Sequence, residues 1–455
     1  MNRQRIALAS FLIATCALAA AQSIPEPGQD AQVHTGTSSG LDSDARLLNL
    51  LADHQFSRIA AQLDRMPATE AQFYRGILAN RDNHPQKSIQ LLEPLLDPIE
   101  AGGNMDHEKL LRKALAEDYL RAGNMAKAAA AYRALESRLG SALSPDEQDQ
   151  IELPLKLLSL AKDHPQMSVD PSEPFSLQVG TDPLGLIDIP VFVDARPHTW
   201  MLDPTAPFNF IALSTAKEVG LKLSAESATV HTLTGRTMQV RATVIPRFTV
   251  GGRLTLRNVT AFVYNDADYA FPQSHYSVEG VLGFPALAAL GSLTVTSNAT
   301  IEVRPASESG TPSADSKLTQ GARFYLDGDQ IVVAVGNAQD LGGERMYAID
   351  EGSQQTYLTS RYYDEHTASF ASQKPQLYSP PAEPNSVQPS YVAETVPFTI
   401  GNTQVDLHYL RVLTQPLGNA ALDDVYGILG IDALQQLKSY TFDYRTMRFS
   451  VRPEE

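Results

Sequence analysis

The sequence predicts a multidomain α + all-β chain: an N-terminal helical repeat region followed by a bilobal, duplicated β-barrel-like domain. Three observations predict it. Apolar residues recur at helical spacing up to about Ala161. Short β-branched runs broken by Gly, Pro and Asn fill the chain beyond "KDHPQMSVDPSEP". Two different motifs then recur at one interval. Asp203 lies 77 residues before Gly280, and Asp350 lies 77 residues before Gly427.

The 455 residues are too many for one small core. Apolar content of 43% and charged content of 19% are those of a globular chain. The net charge of −16 argues against nucleic acid and against an anionic membrane surface as partners. Arg3 and Arg5, the run "IALASFLIATCALAAA" and the small residues Ala19 to Ala21 predict a signal peptide over 1–21. Sixteen such residues are short for a membrane span, so the mature chain is expected to carry none. Export implies a periplasmic or secreted protein. Cys16, the only cysteine, lies in this segment, so cleavage leaves a chain without disulfides; a lipid anchor on Cys16 is the alternative. Residues 22–40, rich in turn formers, read as a flexible linker.

Over 41–165 the periodicity is helical. "DARLLNLLADHQFSRIAAQL" sets Leu48, Leu51, Ile59 and Leu63 on one face. "AQFYRGILANRDNHPQKSIQLLEPLL" and "ALAEDYLRAGNMAKAAAAYRALESRL" each read as helix, polar turn, helix. Ala71, Tyr74 and Gly76 mark the contacts in one, and Ala116, Tyr119, Ala128 and Tyr132 in the other. The pair resembles the tetratricopeptide repeat, with a plain helical bundle as the alternative. Repeats of that kind often expose a concave surface, so a protein partner on this region is an expectation.

The β part divides into a first lobe at 176–305, a linker at 306–320 and a second lobe at 321–453. "WMLDPTAPFNFIAL" holds Asp203 and "YAIDEGSQQTYLTS" holds Asp350. "EGVLGFPAL" and "YGILGIDAL" follow in step, and Leu287 and Leu434 keep the same offset of 147. Equal spacing in both halves reads as duplication of one lobe.

These residues resemble the pepsin and retropepsin clan of aspartic peptidases, especially bacterial exported members with a helical region in front. In that family each lobe carries two hydrophobic residues, then Asp-Thr-Gly, and later a hydrophobic-hydrophobic-Gly that braces the Asp loop. Leu202 to Ala206 and Ile349 to Ser353 fall on the first motif, and Val281-Leu282-Gly283 and Ile428-Leu429-Gly430 on the second. The resemblance implies that Asp203 and Asp350 are the catalytic pair. It also implies that Thr205, Gly352 and Ser353 of the Asp loops, with Thr234 and Gly235 of a flap hairpin around Thr232 to Thr237, bind substrate. Two carboxyls sharing a proton split into acid and base, so no cofactor and no metal is implied. The scattered histidines and the absence of a Gly-rich phosphate loop agree with that. The partner is then a peptide or protein substrate.

The chain departs from the family where Thr or Ser follows Asp. Pro204 has neither hydroxyl nor N–H to offer, and Glu351 adds a third carboxyl. Thr205 also replaces the first-lobe Gly. Three readings stay open: peptide-bond hydrolysis; a degenerate, inactive fold that binds peptides or protein partners; or a helical-repeat scaffold whose β part is passive. "SPPAEPNSVQPS", Ser379 to Ser390, reads as an insertion in place of a second-lobe hairpin.

Overall fold

The structure is a computed structural model. It describes residues 38–183, 185–204, 206–231, 237–271, 275–306, 321–328, 330–336, 345–351, 355–379, 387–417 and 420–452. The predicted signal peptide and Cys16 therefore lie outside the described residues. Among the described residues no helix is long and apolar enough to cross a membrane.

The front of the chain is helical: α1 Ser38–Ala52, α2 Phe56–Ala60, α3 Ala68–Arg81, α4 Pro85–Leu92, α5 Leu96–Gly102, α6 Met105–Arg121, α7 Met125–Leu139 and α8 Pro145–Ala161. Both predicted helix pairs are present, as α3 with α4 and α6 with α7. Their marked small and aromatic residues are buried. Gly76 has a steric reason: a Cβ there would lie 2.4 Å from the Leu92 side chain. Asn104 and Asn124 cap α6 and α7, and Ser144 with Glu147 forms a capping box on α8.

The first helical stretch differs from its expectation in two ways. It begins at Ser38, inside the expected linker. It also breaks after Ala52, where His54 adopts φ +54°, so no single helix carries Leu48 to Leu63. Leu47, Leu50 and Leu51 turn inward instead of Leu48, and Ile59 and Leu63 are buried from separate elements.

Strand pairing in the β part repeats at an interval of 147. In the first half, Met201 and Leu202 run parallel to Val281 and Leu282, and Gly280 faces Ile211 antiparallel. In the second, Ala348 and Ile349 run parallel to Ile428 and Leu429, and Gly427 faces Leu358 antiparallel. The halves join where Ser292–Thr296 pairs antiparallel with Ser439–Asp443. There Thr294 sits opposite Thr441, its counterpart at the same offset, with hydroxyls 2.8 Å apart. A residue facing its own counterpart marks a local twofold relation between the halves.

Alternation along the strands separates two apolar clusters. Leu202, Leu282, Ile349 and Leu429 belong to one, inside the lobes. Met201, Val281, Ala348 and Ile428 belong to the other, which continues into the helices. The helical region thus shares one apolar cluster with residues of both motif-bearing strand pairs. α8 packs on the strands Ala228–His231 and Thr237–Val250. On the second half, the Phe56 ring lies 4.6 Å from that of Tyr325, tilted by 55°, His54 and Arg81 each reach Asp327 at 2.9 Å, and Arg361 reaches Asp53 at 3.3 Å.

One further expectation is corrected. The segment read as an insertion is flanked by paired strands: Gln376 faces Ser390, and Tyr378 faces Gln388. The second half therefore has its own hairpin, matching Ala228–His231 and Thr237–Val250 in the first. Pro389 is tolerated because strands can carry Pro where no ladder N–H is required. Residues 380–386 lie outside the described residues.

Candidate active site

Asp203 ends the strand Arg196–Leu202, whose exposure falls from open at Arg196 to closed at Leu202. Its N–H donates to Leu282 O at 3.1 Å, which ties the loop to the parallel strand. Its Oδ1 accepts the Ala206 N–H at 3.1 Å, so the carboxylate also shapes its own turn. Ala206 O in turn accepts the Phe284 N–H at 2.8 Å. Gly283 is required here, because a Cβ would lie 2.2 Å from Phe208 O and 2.7 Å from Ala206 O.

The second loop repeats this bracing. Asp350 N–H donates to Leu429 O at 3.0 Å. Gly283 N–H donates to Asn209 Oδ1 at 3.0 Å, and Gly430 N–H donates to Thr356 Oγ1 at 2.9 Å. Asn209 and Thr356 stand at the same 147-residue offset as the two aspartates. Sequence reasoning missed them, although the offset would have found them. Thr356 is itself anchored, donating to Asp432 Oδ1 at 2.6 Å.

Asp203, Asp350 and Glu351 are all buried, at 0%, 3% and 2% exposure. Glu351, the third carboxyl, is satisfied from outside the loop: Tyr440 Oη donates to its Oε1 at 2.5 Å. Tyr440 lies on the strand that joins the two halves. Burial pushes the Glu351 carboxyl up to about 7; the Tyr440 hydroxyl works against this, while Asp203 and Asp350 add to it. A residue of the second loop therefore senses the aspartate of the first. Tyr444 is also raised, first by burial and then by Glu351 and Asp203. Asp203, Asp350 and Glu351 thus form one electrostatic group, and a neutral Glu351 lets a third carboxyl sit there without a third charge.

Pro204 is buried beside Asp203. Thr205, Thr234, Gly235, Gly352 and Ser353 lie outside the described residues. The flap's strands are described and paired, with His231 opposite Thr237. Among the described residues no group of His, Cys, Asp or Glu is placed to hold a metal ion.

Residues 189–286 match the family model described as aspartyl protease. That segment contains Asp203, its bracing strand and the flap strands. Among solved structures, the chain is similar to basic 7S globulin from soybean, at 13% identity and a TM-score of 0.38, covering 62% of this chain and 97% of that one. It is also similar to a retropepsin-like aspartic protease from Rickettsia conorii, at 13% identity and a TM-score of 0.22, covering 30% of this chain and 94% of that one. Among curated proteins none matches. The family match bears out the resemblance to the pepsin and retropepsin clan, and residues 189–286 are aspartic-peptidase-like.

Proposed function

We propose that this chain is an exported aspartic-peptidase-like protein that hydrolyses peptide bonds with water activated between Asp203 and Asp350. The observation that carries the reading is their equivalence. Each ends a strand, is buried, and donates its N–H to the same position of a parallel strand, Leu282 O or Leu429 O. On this reading the two lobes descend from one duplicated barrel-like unit, and the paired helices are tetratricopeptide-like.

The chemistry needs one proton on the pair. The ionised carboxylate takes a proton from water as its oxygen attacks the peptide carbonyl. The protonated partner donates to the carbonyl oxygen, giving a gem-diol. Collapse breaks the C–N bond while a proton passes to the departing amine. Glu351 stays neutral beside the pair at acid pH and adds no charge. The reaction is therefore acid-favouring.

A second reading has its own support. Pro204 and Glu351 stand where the family places the hydroxyls that tie the loops together. Without that tie the cleft would bind extended peptides through strand edges and leave them intact. Assaying cleavage of an unfolded protein by wild type, Asp203→Asn and Asp350→Asn separates the two. Hydrolysis lost in both variants supports the enzyme. Binding that all three share, with no hydrolysis, supports the binder. Export is tested by N-terminal sequencing of the protein from the periplasmic or culture fraction; an intact Met1 there would contradict it.

A further inference from the structure

A second acidic group lies on the same strands as Asp203. Asp188 sits directly opposite Met201, two residues before Asp203. Opposed residues of an antiparallel pair share a face, as do residues two apart on a strand. Asp188, Met201 and Asp203 therefore occupy one face, while Trp200 and Leu202 turn into the lobe. Strand geometry puts the Asp188 and Asp203 Cα atoms roughly 8 Å apart, the reach of a side chain next to the scissile bond.

Asp188 is 8% exposed and Asp182, across the turn before it, is 6% exposed. Asp182 Oδ1 accepts the Leu186 N–H at 2.8 Å, which fixes that turn. The Tyr276 hydroxyl bonds to Asp182, and its proton is held more tightly through burial and through Asp188 and Asp182. Glu279 completes the group and is itself engaged by His198 Nδ1 at 3.1 Å and by the Thr199 N–H at 3.2 Å. Asp188 differs from its neighbours. Its Oδ1 is buried and has no hydrogen-bond partner among the described residues. Burial, then Asp182, then Glu279, push its carboxyl up to about 7. A buried, unanswered carboxyl among other carboxyls is costly unless a cation arrives.

We propose that Asp188, with Asp182 and Tyr276, forms a subsite beside Asp203 that takes the cationic side chain of a lysine or arginine in the bound peptide. The inference rests on the cleft assigned above and adds its selectivity. A peptide cation would ionise Asp188 and supply the missing partner.

The test uses the full chain and two peptides that differ only at one position, lysine against norleucine. In wild type the lysine peptide should have the higher kcat/KM by about tenfold or more. Asp188→Asn should bring that ratio close to one, and Asp188→Lys should turn the preference toward a glutamate peptide. Trp200 fluorescence during urea unfolding checks that each variant is folded. Equal ratios in folded wild type and Asp188→Asn would overturn the subsite and leave the peptidase reading standing. If wild type cleaves neither peptide, calorimetric binding decides. Tighter binding of the lysine peptide that depends on Asp188 supports the subsite while removing the hydrolytic reading. Equal binding, or none, overturns the subsite.

Discussion

Replacing Glu351 with Gln tests the electrostatics of the site without touching either aspartate. The structure buries Glu351 and raises its carboxyl from 4.5 to about 7. Below pH 4.5 the carboxyl is protonated in both the folded and unfolded chain, so it adds no pH dependence. Between 4.5 and 7 the unfolded chain releases the proton first, and the folded state loses stability as pH rises. Above 7 the loss is complete, and the shift corresponds to about 3 kcal/mol. Gln fills nearly the same volume, still reaches Tyr440 through its amide oxygen, and cannot ionise. The variant should therefore gain on wild type by about 3 kcal/mol between pH 4 and pH 8. The assay is urea unfolding at pH steps across that range, followed by Trp200, the single tryptophan, buried three residues before Asp203. Other raised carboxyls, such as Asp118 and Asp188, affect both proteins alike and cancel in the difference. Wild-type and Glu351→Gln stabilities that stay parallel across the whole range would refute the reasoning.

Three more outcomes follow from the geometry. Gly283→Ala should destabilise by about 3 kcal/mol or prevent folding, because its Cβ meets Phe208 O rather than a movable side chain; the urea midpoint reads this. Asn209→Ala removes the acceptor of the buried Gly283 N–H and should cost about 1–3 kcal/mol and, if the loop is catalytic, lower kcat more than it changes KM. Arg81→Ala removes the guanidinium that bridges Glu117 and Asp327, leaving Arg121 on the first and His54 on the second; it should cost about 1–3 kcal/mol, with limited proteolysis releasing the helical region from the β part.

Local signals carried much of this structure. The helix pairs showed through periodicity and short polar turns, and the bracing strands through the interval between Asp203 and Gly280 repeated from Asp350 to Gly427. What stayed hidden depends on distant contacts. Nothing near Glu351 announces Tyr440, which lies 89 residues on and supplies its hydrogen bond. The break at Asp53 to Gln55 was masked because Leu51 and Ile59 keep helical spacing across it. Packing of α8 on the flap strands, and of α2 and α3 on the second half, leaves no periodic trace, since an apolar helix face reads alike whatever covers it. The second hairpin was misread because its prolines suggested a loop, although strands pair on both sides of it.

The most direct measurement is the rate of cleavage of an unfolded protein across about pH 3 to 7 by wild type, Asp203→Asn and Asp350→Asn. A working pair predicts a bell-shaped profile with an acid optimum in wild type and no hydrolysis in either variant. Hydrolysis that survives in one variant, or a folded wild type inert at every pH, would contradict the assignment of Asp203 and Asp350 as a catalytic pair.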